Sequence, residues 1–154
     1  MVTTLLLMLH GLMAVALLGA VSHQAASLFF RQQAAGGAFL KRYSRVDAAR
    51  FAWPVVGLYL GVFVLGGLIY PSYRVDVRIP FEELGLRWAV GLFEIKEHAA
   101  GIAVGVLPLY AVLWRSPDDQ SSTTNRRMVT AFLAGVVWFD FLAGHLLNNI
   151  RGLA

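Results

Sequence analysis

The chain has 154 residues, of which 58% are hydrophobic and only 14% are charged. Soluble domains carry about 25% charged residues, so the composition disfavours an ordinary soluble domain. The sequence contains no cysteine, which excludes disulfides, iron–sulfur clusters and thiolate metal sites. A chain of this length usually forms one domain, and residues 1–154 are interpreted as a single transmembrane domain.

Four long apolar stretches follow one another along the chain, separated by polar connectors. A helix needs roughly 20 apolar residues to cross the hydrocarbon core of a bilayer. The stretches predict membrane-spanning helices at about residues 4–29, 51–70, 89–114 and 128–149. The sequence therefore predicts an all-α integral membrane protein, a four-helix bundle whose first partner is the lipid bilayer.

The four predicted helices differ in the polar residues that they carry. The first stretch, residues 3–30, has no Lys, Arg, Asp or Glu. Pro54 fits the first turn of the second helix because its missing N–H would be unpaired there, and Pro71 predicts the end of that helix. The third stretch contains the charged segment EIKEH at 94–98, and the fourth has Asp140 as its only formal charge.

The distribution of basic residues predicts the orientation of the bundle. Lys and Arg concentrate in cytoplasmic loops, so the more basic pair of connectors is expected in the cytoplasm. Both termini are then expected on the outer side, which is the periplasm if this is a bacterial inner (plasma) membrane. The basic residues show no pattern typical of a nucleic-acid partner. The connector side has eight, Arg31, Lys41, Arg42, Arg45, Arg50, Arg115, Arg126 and Arg127, against four on the other side, Arg74, Arg78, Arg87 and Arg151.

Three histidines on three helices are expected at similar depth in the outer half. At 1.5 Å per residue, His10 lies roughly 10 Å and His145 roughly 8 Å from the outer ends of their helices. His98 lies roughly 15 Å from Trp88, and less if the first turns of that helix are interfacial. Ionisable groups in a membrane helix usually face the bundle interior, so these imidazoles are expected to converge.

One chemistry that such a cluster supports is b-type haem. Two imidazoles from different helices can hold the iron from opposite faces, so any two of His10, His98 and His145 are candidate ligands. Asp140 is expected to face inward and to hydrogen-bond a polar group on another helix. In the functional interpretation, Asp140 and Asn148 surround the histidines and orient them.

Two further chemistries remain open. His10, His98 and His145 with Glu94 and Glu97 form a nitrogen–oxygen ligand set for a transition metal, although no contiguous metal motif supports it. Carboxylates and imidazoles inside a bundle also serve as proton relays. A quinone slot is then expected beside the aromatic residues Tyr59, Tyr70, Tyr110 and Trp138.

The preferred function is a membrane redox component that binds haem b or a transition metal and takes part in electron transfer, with partner membrane subunits. The absence of any cofactor is the next alternative. The competing classes are a non-enzymatic accessory or assembly subunit and a proton- or quinone-handling protein. In the accessory class, the histidines and acids only hydrogen-bond between helices or contact head groups, and the sequence does not decide whether the protein is an enzyme.

The basic-residue count makes the topology testable. A reporter that is active only in the cytoplasm, fused after Ala154, is expected to be inactive because the C-terminus is predicted outside. The same reporter inserted in the 31–50 connector is the control and is expected to be active. Activity of the C-terminal fusion would contradict the orientation and leave the four spans untouched.

Overall fold

The long apolar stretches form the principal helices of the computed structural model, which describes residues 2–30, 38–43, 45, 47–115 and 120–153. Four of its helices are long and apolar enough to cross a membrane, and the described residues contain no strand. The predicted all-α class is therefore confirmed. The helices are α1 (Val2–Phe30), α2 (Ala38–Tyr43), α3 (Ala52–Tyr73), α4 (Ile79–Glu83), α5 (Arg87–Arg115) and α6 (Thr123–Leu153).

The second long helix does not end where Pro71 predicted. Helix α3 follows a 3₁₀ turn at Ala48–Phe51 and includes Pro71. It then continues through a π-helical turn, Arg74–Arg78, directly into α4. A proline inside a helix removes one hydrogen bond, and a wider π-turn accommodates such an irregularity without ending the helix.

The four long helices form a ring in which each contacts two neighbours. Helix α1 packs against α3 and α6, and α5 packs against α6, whereas α3 and α5 form the smallest of the four interfaces. The starts of α1 and α5 lie together with the ends of α3 and α6, and we call this the terminal end. The opposite end, where α1 meets the 3₁₀ turn and α5 meets the start of α6, is the connector end.

The connector end is closely packed, and several of its buried polar side chains are hydrogen-bonded, although Nδ1 of His23 has no partner among the described residues. The Gln24 side chain is fully buried; its Nε2 donates to the Ala48 carbonyl oxygen at 3.1 Å, and its Oε1 accepts from the Tyr110 hydroxyl at 2.6 Å. Trp114 Nε1 donates to Thr130 Oγ1 at 3.3 Å and links α5 to α6. Around these bonds lies an apolar core that includes Leu17, Val21, Val55, Leu107 and Leu133.

A second, smaller apolar cluster lies at the terminal end. It joins Val77 of the π-turn and Phe81 of α4 to Ala89 and Val90 of α5 and to Leu147 of α6. The chain reverses between α4 and α5 at Gly85, whose φ of +73° is a conformation that residues with a Cβ rarely adopt. The helical extension beyond Pro71 therefore packs over this end of the bundle instead of ending as a loop.

The outward faces of the long helices are apolar and exposed. Leu12, Leu68, Ile102 and Val112 each expose more than three-fifths of their surface. So much exposed apolar surface is unusual for a soluble protein and is expected where lipid covers the helices. The structure thus supports a membrane protein at the level of its helices and its surface.

The paired hydroxyl of Tyr110 leads to a stability prediction. Tyr110→Phe leaves the buried Gln24 Oε1 without its donor, and we expect it to lower the free energy of unfolding by about 1–2 kcal/mol. Tyr73→Phe is the matched control, because the Tyr73 hydroxyl has no partner among the described residues and its removal costs little. Unfolding in detergent micelles measures both variants, and equal destabilisation would contradict the role given to Gln24.

Candidate functional site

Two cavities lie between the long helices, towards the terminal end. Their volumes are about 360 Å³ and about 410 Å³, within the range usual for ligand pockets. We call them together the terminal cavity, because they share part of their lining. The shared lining includes His10, Gly66, Tyr70, Lys96, Glu97 and Asp140.

Two polar side chains of the cavity lie against glycines of neighbouring helices. A Cβ on Gly66 of α3 would lie 3.4 Å from Cε1 of His10, so the imidazole of α1 packs directly against the α3 backbone. A Cβ on Gly144 of α6 would lie 3.6 Å from Cε of Lys96, which places the end of the Lys96 side chain against α6. These close approaches bring an imidazole and an ammonium group to the lining of one cavity.

Several buried polar atoms of the cavity lining have no partner in the described part of the chain. They are Nδ1 of His10, the hydroxyl of Tyr73 and Oδ1 of Asp140, and of these three groups the His10 ring also has a hydrogen-bonding interaction with the backbone of Val62. Asp140 faces inward as expected, but its Oδ1 lacks the hydrogen bond to another helix that the sequence led us to expect. A buried unpaired polar atom costs about 1–3 kcal/mol, so these atoms are suited to binding a further molecule.

Lys96 is the positive group of the cavity. Its ammonium interacts electrostatically with Asp140, with His10 and with Glu97, and it lies 5.3 Å from the centre of the Phe93 ring. The three ion pairs within the described ranges do not include Lys96. The cation is therefore near two carboxyl groups without being fixed by a direct ion pair to either.

The structure brings two of the three predicted histidines to the cavity. His10 lines both of its parts, and His145 and Asn148 line the larger part from α6. His98 is exposed outside this lining, with Nδ1 2.6 Å from the carbonyl oxygen of Glu94 one turn earlier in α5. The three imidazoles therefore do not share one cavity.

The two glutamates predicted as metal ligands do not lie together either. Glu97 lines the cavity, whereas Glu94 is exposed and Oε1 of Glu94 lies 3.5 Å from Nη1 of Arg78. Arg78 also donates from Nε to Oε1 of Glu82 at 2.8 Å. Glu94 thus belongs to a surface ion-pair network that ties the π-turn to α5.

No group of three or more His, Asp or Glu side chains within the described ranges is arranged to hold a metal ion. The periodicity of α5 explains why His98 and Glu94 are apart from the other candidates. Residues 93, 96, 97 and 100 form the stripe that faces the cavity, and residues 94 and 98 lie on the adjacent exposed face. The metal and haem hypotheses remain predictions of the sequence.

Of the four aromatic residues predicted for a quinone slot, two line the cavity and two lie elsewhere. Tyr59 and Tyr70 line the cavity, and the Tyr59 hydroxyl donates to the Ala100 carbonyl oxygen at 3.3 Å. Tyr110 is buried at the connector end, where it bonds Gln24. Trp138 is exposed and donates from Nε1 to Ser22 Oγ at 3.0 Å.

Lys96 was not among the site residues predicted from the sequence, and the structure places it on the lining of both parts of the cavity. The signal was present in α5 itself. Its buried residues Ala103, Leu107, Tyr110 and Trp114 form a stripe at intervals of three or four residues. Extending that stripe towards the start of the helix reaches Lys96 as well as the candidate Glu97, so this periodicity could have identified Lys96.

The position of the cavity near the terminal end predicts a pattern of chemical labelling, and a chain without cysteine makes it simple to test. Ala14 lines both parts of the cavity, whereas Thr130 is fully buried at the connector end. We expect a water-soluble maleimide to label Ala14→Cys at least ten times faster than Thr130→Cys. Equal rates in intact vesicles would contradict a hydrated terminal cavity.

Comparison with known proteins assigns no family to this chain. No protein-family model matches its sequence. No curated protein and no solved structure matches it significantly either.

Proposed function

We propose that this protein is a small membrane component that binds a lipid-soluble ligand in the terminal cavity and exchanges protons with it. The observation that carries the proposal is the unpaired state of three buried polar atoms. His10 Nδ1, the Tyr73 hydroxyl and Asp140 Oδ1 line an otherwise largely apolar cavity and have no partner in the described chain. Polar and ionisable groups inside a membrane bundle typically serve substrate or proton pathways.

The contrast between the two ends of the bundle supports this role. At the connector end, the buried polar side chains of Gln24, Ser27 and Thr130 all take part in hydrogen bonds. A purely structural set of polar groups is expected to be paired in this way, because no water is available in the hydrocarbon region. Nδ1 of His23 at the connector end is also buried without a partner among the described residues, but it lies outside the cavity lining, against the rings of Tyr43 and Phe51. The three terminal groups instead meet at one cavity, which favours a binding function over a packing function.

Access of water and protons to the cavity is proposed to be from one side of the membrane only. Asp76 and Asn148 are exposed and line the larger part of the cavity, so the terminal side offers a polar entrance. Towards the connector end, Tyr59, Leu107, Leu133 and Val137 are buried in the apolar core. Protons would then exchange with one aqueous phase, which is the periplasm if both termini lie outside a bacterial inner membrane.

The proposed protein is still a membrane redox or proton-handling component, as the sequence predicted. Its reactive groups, however, are Lys96, Glu97, Asp140 and His10 instead of a cluster of three histidines. Lys96, Glu97 and Asp140 supply groups that gain and lose protons, and His10 can carry a proton between them. Haem b remains the second candidate, favoured by one observation: His10 and His145 both line the larger part of the cavity. In either case the chain is proposed to work with other membrane subunits.

Asp140→Asn tests the proton-exchange proposal. It keeps the shape of the side chain and removes the titrating proton. We expect infrared spectra of the protein in lipid, recorded across a pH titration, to show a carboxylic-acid band shielded from water that disappears in Asp140→Asn. Asp47→Asn is the matched control, because Asp47 is exposed at the 3₁₀ turn and an Asn can still accept from Ala49 N.

An absorption spectrum of the purified protein separates the two candidate functions. A Soret band that sharpens on reduction with dithionite would favour haem and contradict the present proposal. A spectrum without that band, together with the Asp140-dependent infrared signal, would support proton exchange. A shielded carboxyl band that persists in Asp140→Asn would remove Asp140 from the proposed mechanism.

A further inference from the structure

We propose that the lipid-soluble ligand is a quinone or its quinol, with its ring against the aromatic side chains of Tyr70, Tyr73 and Phe93 and its oxygen atoms near Lys96 and Asp140. The inference rests on the proposed function, because it names the class of ligand for the same cavity. Three features of the cavity carry it: an aromatic face, a mixed set of polar groups, and an opening towards lipid.

The aromatic face is formed by three nearly parallel rings. The rings of Tyr73 and Phe93 are 3.5 Å apart at their centres and inclined by 10°. Tyr70 lies 6.3 Å from each of them, inclined by 23° and 20°. All three residues line the larger part of the cavity. Because the rings of Tyr73 and Phe93 stack on each other, a planar quinone ring would pack on the outer face of this stack or against its edge beside Tyr70.

The polar groups favour a neutral ligand that carries oxygen atoms. An anionic amphiphile would meet the carboxyl groups of Glu97, Asp140 and Asp76 on the lining. A lipophilic cation would meet the Lys96 ammonium. A quinone is uncharged, and its carbonyl oxygens accept hydrogen bonds from Lys96 or from the unpaired Tyr73 hydroxyl. The quinol donates instead, and Asp140 Oδ1, which has no partner in the described chain, can accept from it.

The first half of α1 provides a route for the hydrocarbon tail. Leu7 lines the larger part of the cavity and is 44% exposed, and Leu9 and Leu12 beside it are exposed as well. The buried residues of α1 begin only at Leu17, so α1 packs closely at the connector end and loosely at the terminal end. A ligand whose polar ring is in the cavity can therefore extend its tail past α1 into lipid.

Binding of decylubiquinone to the protein in lipid nanodiscs tests the inference, with empty nanodiscs as the baseline. We expect saturable binding that weakens roughly ten- to a hundredfold in Lys96→Met, which keeps the length of the side chain and removes the ammonium. Phe93→Leu removes one ring of the aromatic face, and about a two- to twelvefold loss is expected. Phe132→Leu is the matched control, because Phe132 is 42% exposed on α6 outside the cavity lining and its loss should leave binding unchanged.

A second measurement, protection from maleimide labelling, does not depend on the folding of Lys96→Met or Phe93→Leu. Decylubiquinone is expected to protect Ala14→Cys from maleimide in a saturable manner, whereas decanoate and tetraphenylphosphonium are not. Binding that does not saturate, or that is equal in wild type, Lys96→Met and Phe93→Leu, would overturn the quinone assignment. Saturable protection by decanoate or tetraphenylphosphonium alone would overturn it too, while leaving the cavity as a ligand site. The proposed function fails separately, if the wild-type protein shows no shielded carboxylic-acid band or if that band persists in Asp140→Asn.

Discussion

The amide of Gln24 joins three segments of the chain at a single buried point. Its Nε2 donates a hydrogen bond to the carbonyl oxygen of Ala48, in the 3₁₀ turn that precedes α3, and its Oε1 accepts one from the hydroxyl of Tyr110 on α5. In a medium without water, a buried amide must find such partners inside the protein. Because these bonds fix α1, α3 and α5 relative to one another at the connector end, the opposite halves of the same helices can diverge and leave a cavity.

The two halves of the bundle therefore have different physical characters. The connector half is filled by side chains such as Leu17, Val55 and Leu133, and hydrogen bonds join its helices through Gln24 and Thr130. The terminal half keeps an imidazole, a phenol and a carboxyl group with buried atoms that lack a partner among the described residues. Leaving such atoms unpaired costs stability, and the closely packed half supplies the stability that lets the open half be maintained.

The helix that continues beyond Pro71 gives the open half its outer boundary. The π-turn at Arg74–Arg78 brings Val77 and Phe81 onto α5 and α6, and the ion pairs of Arg78 with Glu82 and Glu94 tie the turn to its surroundings. π-turns of this kind are frequent at functional sites. Here the turn places Tyr73 on the cavity lining with its ring against Phe93. An irregular helix thus contributes directly to the aromatic face.

The sequence by itself determined the class of the fold, because a bilayer of fixed thickness demands apolar helices of a definite length. It also indicated His10, Glu97 and Asp140 as polar residues inside those helices, since charges are rare there and stand out. Only the tertiary structure decided which of them meet. The orientation of α5 about its own axis directs Lys96 and Glu97 towards the cavity and leaves His98 exposed. The buried residues Ala103, Leu107 and Tyr110, which lie later in the same helix, fix that orientation by packing against the other helices. Depth in the membrane can be counted from residue numbers, whereas the direction of a side chain depends on its neighbouring helices.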